Sequence, residues 1–61
     1  MENKERIVKY ISQNGKSKAS EIAEAIGLSQ PRTRVLLSEL ITEGQIEANG
    51  EARARVYIIN S

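Results

Sequence analysis

Apolar residues recur at helical spacing in three stretches of the chain, and each stretch is followed by a glycine. In the first stretch, Ile7, Val8, Tyr10 and Ile11 follow a helical spacing among polar residues and precede Asn14-Gly15. Both residues of that pair tolerate the left-handed conformation that often ends a helix. The pattern therefore predicts a first helix over about residues 2–14.

The second and third stretches predict two further helices. Ile22, Ala23 and Ile26 share one face before Gly27, which indicates a helix over about 19–26 that is too short to be stable unless it is packed. Ser29 is a preferred N-cap residue, so a third helix is predicted over about 30–43. At about 100° per residue, its buried stripe holds Thr33, Leu36, Leu37 and Leu40 with Ile41 at the edge, while Pro31, Arg34, Val35, Ser38 and Thr42 point away.

The period changes after Gly44. Residues 45–49 alternate polar and apolar, Asn49-Gly50 is a strong hairpin turn signal, and residues 54–59 are rich in β-formers. A hairpin is predicted over about 45–59, although the part after Gly50 can also project as a loop. Residues 16–18 fit either a small edge strand or a loop.

These elements predict a single domain of the α+β class over residues 1–61, with three helices and a two-stranded hairpin. The chain is 39% hydrophobic, which suits a minimal aliphatic core. On the last strand we expect Tyr57 and Ile59 to face inward. The full set of expected core residues is Ile7, Ile11, Ile22, Ile26, Leu28, Leu36, Leu37, Leu40, Ile46 and Tyr57.

Missing residue types exclude most chemistry. The chain has no Cys, no His and no Asp, which removes disulfides, thiolate metal sites, the commonest general base and the Ser-His-Asp constellation. Glutamate pairs on the second and third helices are expected to be solvated rather than metal ligands. We therefore expect no enzyme activity, no cofactor and no metal. No apolar run approaches the ~20 residues that span a bilayer, and we expect a cytoplasmic location without a membrane partner.

The order of elements carries a family resemblance. The segment from Ser20 to Ser29, then Leu37, Leu40, Gly44 and Ile46, and then residues 55–59 resemble a winged helix-turn-helix domain. The ending from Gly50 to Tyr57 is most similar to the C-terminal domain of RecG-related ATP-dependent DNA helicases. MarR-like and ArsR-like repressors share the general pattern. The RecG resemblance would make this chain a domain of a longer protein, although the chain itself carries no phosphate-binding loop.

The resemblance implies that the third helix enters the major groove of duplex DNA and that the hairpin wing contacts the backbone or minor groove. The DNA-contacting candidates that it implies are Ser29, Gln30, Arg32, Arg34 and Ser38 on the third helix, Lys16 and Lys18 before the second, and Arg53 and Arg55 on the wing. Gln and Arg suit base edges, and Ser29 suits a phosphate at the helix N-terminus. Arg53 and Arg55 point to the same side if the strand is regular there.

The charge supports a DNA-binding function only when the basic residues are counted segment by segment. The net charge of +1 does not indicate a nucleic-acid binder, yet all six basic residues after residue 15 fall on elements that would face DNA. Glu51 at the wing tip weakens that pattern.

The alternative function is a protein-interaction or dimerisation module with little DNA affinity. Val35 favours it, because this valine lies on the exposed face of the third helix and could join an apolar patch as well as contact a thymine methyl. The Z-DNA-binding subclass expects Asn and Tyr where this chain has Arg34 and Ser38, as well as wing prolines, and is set aside here.

Overall fold

The computed structural model describes residues 2–60 and contains the predicted elements in the predicted order. The helices are α1 (Asn3–Asn14), α2 (Ala19–Ile26) and α3 (Gln30–Thr42), and the strands are β1 (Ile46–Asn49) and β2 (Val56–Ile59). A short 3-10 helix, Ala52–Ala54, lies between the strands. The fold class is confirmed: three helices and a two-stranded antiparallel hairpin form a small α+β domain.

Local signals in the sequence account for the helix ends. The Ser29 hydroxyl accepts a hydrogen bond from the backbone N–H of Arg32 at 3.3 Å, so Ser29 caps α3. Gly27 ends α2 in the left-handed conformation, with φ +75°, which a side-chain-bearing residue adopts only at a cost. The tight link between α2 and α3 therefore follows from Gly27 and Ser29 together.

The strands pair in the register Ile46↔Ile59, Glu47↔Ile58, Ala48↔Tyr57 and Asn49↔Val56. Asn49 is the last paired residue of β1 and residues 50–55 form a longer connection, which agrees with the alternative in which the part after Gly50 projects as a loop. Gly50 has φ +84° and the 3-10 helix follows it. The hairpin over residues 46–59 is called the wing below.

The segment between α1 and α2 contains an isolated antiparallel β-bridge between Ser17 and Tyr57. Ser17 donates its N–H to the Tyr57 carbonyl at 3.1 Å and accepts the Tyr57 N–H at 2.8 Å. Ser17 is buried, and its neighbours Lys16 and Lys18 are exposed, as the alternation of side chains along an extended chain requires. This bridge ties the wing to the start of α2.

The core lies where the three helices and the inner face of the wing meet. Of the ten residues expected there, only Leu28 is misplaced, because it is half-buried and packs against the rim of the core. The buried stripe of α3 is Thr33, Leu36, Leu37 and Leu40, as predicted. Thr33 is accommodated because its hydroxyl donates to the Ser29 carbonyl at 2.8 Å.

Candidate nucleic-acid interface

A concave groove with a volume of about 520 Å³ lies between α3, the N-terminus of α2 and the wing. Its lining residues come from all three elements, so the tertiary fold alone brings them together. We call this surface the cationic groove; it is lined by Lys18, Ala19, Ser20, Gln30, Arg34, Ser38, Ala52, Arg53, Arg55 and Tyr57.

The helical wall of the groove is a row of polar side chains on α3. Gln30, Arg34 and Ser38 are spaced four residues apart, so they lie one above another on the same side of the helix. All three are exposed. The buried stripe of α3 is held in the core, and this packing directs the row towards the wing.

The opposite wall is the irregular connection of the wing. The backbone N–H groups of Ala54 and Arg55 donate to the carbonyls of Glu51 and Ala52 at 2.9 and 3.2 Å, which folds the connection into its 3-10 turn. Arg53 and Arg55 therefore do not lie on a regular strand. The expectation that they point to the same side depended on such a strand, so this condition is not met. Both nevertheless line the groove.

The groove is positively charged and has no carboxylate among its lining residues. Lys18, Arg34, Arg53 and Arg55 supply four cationic side chains, and within residues 2–60 none of them forms a salt bridge. Their charges are thus free to attract an anion.

Three carboxylates on or next to α2 and α3 have interactions of their own. The Nζ of Lys4 on α1 lies 3.0 Å from the Glu39 Oε1 of α3 and 2.7 Å from the Oε2 of Glu43, the residue that follows α3. The hydrogen bonds to Glu43 and then to Glu39 raise the pKa of Lys4. Glu21 accepts the backbone N–H of Lys18 at 2.8 Å and so caps α2. None of these three carboxylates lines the groove.

Three predicted contacts lie outside the groove. Arg32 lines a separate depression beside α1, together with Glu2, Lys4 and Glu39. Ser29 lies at the exposed N-terminus of α3 as its cap, and Lys16 is exposed in the loop before Ser17. The structure therefore brings together six of the nine predicted residues: Lys18, Gln30, Arg34, Ser38, Arg53 and Arg55.

Four lining residues were not among the predicted contacts. Ala19, Ser20 and Ala52 carry no chemical signal in the sequence. Tyr57 was assigned to the core, and it is only 8% exposed, yet it also lines the groove. A tyrosine combines an apolar ring with a polar tip, and that dual character is the one signal that could have indicated its second position.

Comparison with known families gives a match over most of the chain. A family model described as winged helix-turn-helix DNA-binding matches residues 2–47. A search of curated proteins gives no match.

Solved structures with the same fold include nucleic-acid-binding domains. The Zα domain of PKZ from Carassius auratus, crystallised in complex with Z-DNA, is 30% identical with a TM-score of 0.87, over 93% of this chain and 90% of that one. The apo Zα domain of zebrafish PKZ, at 20% identity and TM-score 0.87 over 95% and 91% of the two chains, shares the fold.

A bacterial structure is similar over the same elements. The homodimeric winged helix-turn-helix DNA-binding domain of Mb0332 from Mycobacterium bovis, a possible ArsR-family transcriptional regulator, is 25% identical. Its TM-score is 0.88, and the match covers 97% of this chain and 54% of that one.

Proposed function

Because this chain belongs to the winged helix-turn-helix DNA-binding family, we propose that it holds duplex DNA with α3 in the major groove and the wing on the adjacent backbone. The chain acts as a non-catalytic binding module. The observation that carries this assignment is the cationic groove, which gathers four cations from three elements and no carboxylate.

Each part of the surface has its own role in the proposal. Lys18, Arg34, Arg53 and Arg55 neutralise phosphates along one strand, since phosphate contacts supply most of the affinity of such domains. Gln30 and Ser38 lie on α3 beside these cations and offer hydrogen bonds to base edges.

Ser29 fits a further phosphate contact. Its oxygen already accepts the Arg32 N–H, but the hydroxyl proton remains free to be donated. A phosphate there also meets the positive end of the α3 dipole. Lys16 and Arg32 lie outside the groove and extend the proposed contact only if the DNA reaches beyond it.

The test is a titration of generic duplex DNA at several salt concentrations. If each groove cation holds one phosphate, the slope of log K against log salt is about −3.6, from about −0.9 per phosphate. Arg34→Ala and Arg53→Ala should each reduce the steepness by about 0.9 and weaken binding at low salt. Arg6→Ala is the matched control, because Arg6 is an exposed arginine in a depression between α1 and α2.

Arg32→Ala measures how far the interface extends. Binding that survives this change but not Arg34→Ala places the DNA in the groove, whereas equal losses extend the contact towards α1. Absence of binding at about 50 mM salt, together with self-association of the chain, would contradict the proposal and favour the protein-interaction or homodimer alternative.

Z-form DNA is a second candidate ligand, favoured by the 30% identity to the Zα domain that was crystallised with Z-DNA. Arg34 and Ser38 replace the Asn and Tyr expected of that subclass, and the wing has no proline, so right-handed duplex remains the first choice. Circular dichroism of an alternating dC-dG duplex distinguishes the two. Inversion of its spectrum on adding the chain would favour the Z-form.

The proposal also covers the class of protein in which this domain acts. Homologous domains include a possible transcriptional regulator, and the ending over residues 50–57 resembles the RecG-related domain, although the family match stops at residue 47. We propose a transcription-regulator-like or helicase-associated module in the cytoplasm, as a single domain that can form part of a larger protein. Within residues 2–60, no helix is both long and apolar enough to cross a membrane.

A further inference from the structure

The outermost side chains of α3 differ from those that line the groove, except for Ser38, which belongs to both sets. The buried stripe of α3 faces the core, and at about 100° per residue the direction opposite to it passes through Pro31, Ser38 and Thr42, with Val35 beside them. All four are exposed, and Val35 is exposed by 48%. Gln30 and Arg34 lie between this outward side and the buried stripe, on the side of α3 that faces the wing. We call Pro31, Val35, Ser38 and Thr42 the outward stripe.

The outward stripe carries no charge and no amide. Its side chains are short, and they offer aliphatic carbon and hydroxyl groups only. The ionic groups of α3 lie to either side: Arg34 in the cationic groove, and Arg32 and Glu39 beside α1. A helix that enters a major groove presents its outermost residues to the base edges, so the surface facing the bases is uncharged, and charge lies only at its flanks.

From this arrangement we infer that α3 recognises thymine methyl groups through Val35, and so prefers sites with A·T pairs at the bases beneath it. The C5-methyl of thymine is the apolar feature of the major-groove edge, and aliphatic side chains contact it. This inference rests on the proposed function, because it requires α3 to lie in the major groove.

Hydrogen bonding adds little discrimination on this stripe. Ser38 is versatile, since a hydroxyl donates or accepts and therefore pairs with any base. The Thr42 hydroxyl donates to the Ser38 carbonyl at 3.1 Å, which leaves its methyl as the more available outward group. Val35 is thus the residue whose chemistry distinguishes thymine from the other bases.

The experiment removes the methyl from the DNA rather than from the protein. The preferred duplex is first selected from a randomised duplex library with the full chain. Each thymine of that duplex is then replaced singly by uracil, which keeps the base pairing and deletes the methyl. At the thymine beneath Val35, the affinity should fall about fourfold, as expected for losing the burial of one methyl-sized group.

Val35→Ala identifies the protein partner of that methyl. In this variant the thymine and uracil duplexes should bind about equally, and its affinity for the uracil duplex should be close to that of the unaltered chain. Ile41→Ala is the matched control: Ile41 is 39% exposed on α3 but lies outside the outward stripe, so this variant should keep the fourfold preference.

Three results would overturn the inference. They are a selected pool without sequence preference, an unchanged preference for thymine in Val35→Ala, and a dimer that Val35→Ala converts to monomer, which would place Val35 against a second copy. Salt-sensitive binding to generic duplex in any of these cases would leave the proposed function intact. Failure to bind any duplex would instead refute the proposed function itself.

Discussion

Replacing Gly50 with alanine tests the geometry of the wing. Gly50 has φ +84°, and a Cβ built on it would lie 2.7 Å from the Ala54 carbonyl oxygen and 3.1 Å from the Ala54 carbonyl carbon. Two costs therefore act together: a backbone conformation that alanine disfavours, and overlap with backbone atoms that no side-chain rotation can relieve.

The two costs can be separated by comparison with other glycines. Gly27 and Gly44 have φ values of +75° and +80°, but an added Cβ meets nothing within 4 Å at either position. Alanine at Gly27 or Gly44 should therefore cost only the left-handed conformation, about 1–2 kcal/mol. Alanine at Gly50 adds an overpacking cost of about 1–3 kcal/mol, so Gly50→Ala should be less stable than either control by that difference.

The measurement is urea denaturation followed by circular dichroism. A domain of this length has a free energy of unfolding of roughly 3–9 kcal/mol. A loss of about 2–5 kcal/mol should therefore strongly lower the urea concentration at the midpoint of unfolding. DNA affinity gives a second readout, because Arg53 and Arg55 lie on the connection that Gly50 begins. Equal stabilities of Gly50→Ala and Gly27→Ala would refute the reasoning, because the contact with Ala54 would then carry no weight in solution.

Three further predictions concern the core, a helix cap and an ion pair. Leu37 is 1% exposed, so Leu37→Ala should cost about 2–5 kcal/mol in the same denaturation assay, while Ile41→Ala on the exposed side of α3 should cost under about 1 kcal/mol; equal costs would contradict the packing described. Ser29→Ala should lose about 0.5–2 kcal/mol with the α3 cap, whereas Ser29→Asp should retain the cap yet weaken DNA binding, and unimpaired binding would argue against a phosphate at Ser29. Because Glu43 and Glu39 raise the pKa of Lys4 above 10.5, the stabilisation from this pair is fully present below pH 10.5 and is lost as the pH rises through the higher folded-state pKa. Melting temperatures measured from pH 9 to 11.5 should therefore fall further in the unaltered chain than in Lys4→Met, and parallel profiles would exclude a role for the pair.

The distribution of charge over the surface explains why the net charge is a poor predictor of anion binding by this domain. Lys4 forms salt bridges with Glu39 and Glu43 on the side of α3 that faces α1, and the side of that helix that lines the cationic groove carries no carboxylate. An anion approaching the cationic groove therefore meets a local field that the value of +1 conceals. Phosphate binding depends on such local fields, because salt screens charges that are more than about 10 Å away.

Local patterns in the sequence were sufficient for the helices. The buried stripe of α3, the Ser29 cap and the Gly27 end depend on residues a few positions apart, so their physics is contained in the sequence. The Gly50 connection was only partly predictable, because the sequence left open whether the part after Gly50 forms strand or loop. Asn49-Gly50 favours a two-residue turn locally, but pairing of Asn49 with Val56 extends β1 and leaves the turn to residues 50–55.

The candidate site, like the fold, was predictable from the sequence only in part. Residue types and the resemblance selected Arg34, Arg53 and Arg55, which line the groove, but they could not separate Arg34 from Arg32, two positions apart on one helix. Packing decides this, because burial of Leu36 and Leu40 turns Arg34 towards the wing and Arg32 towards α1. Tyr57 likewise joins core and groove only because its strand pairs with Ser17. Periodicity and caps are short-range and are readable along the chain, whereas a groove built from three elements exists only once long-range contacts have brought them together.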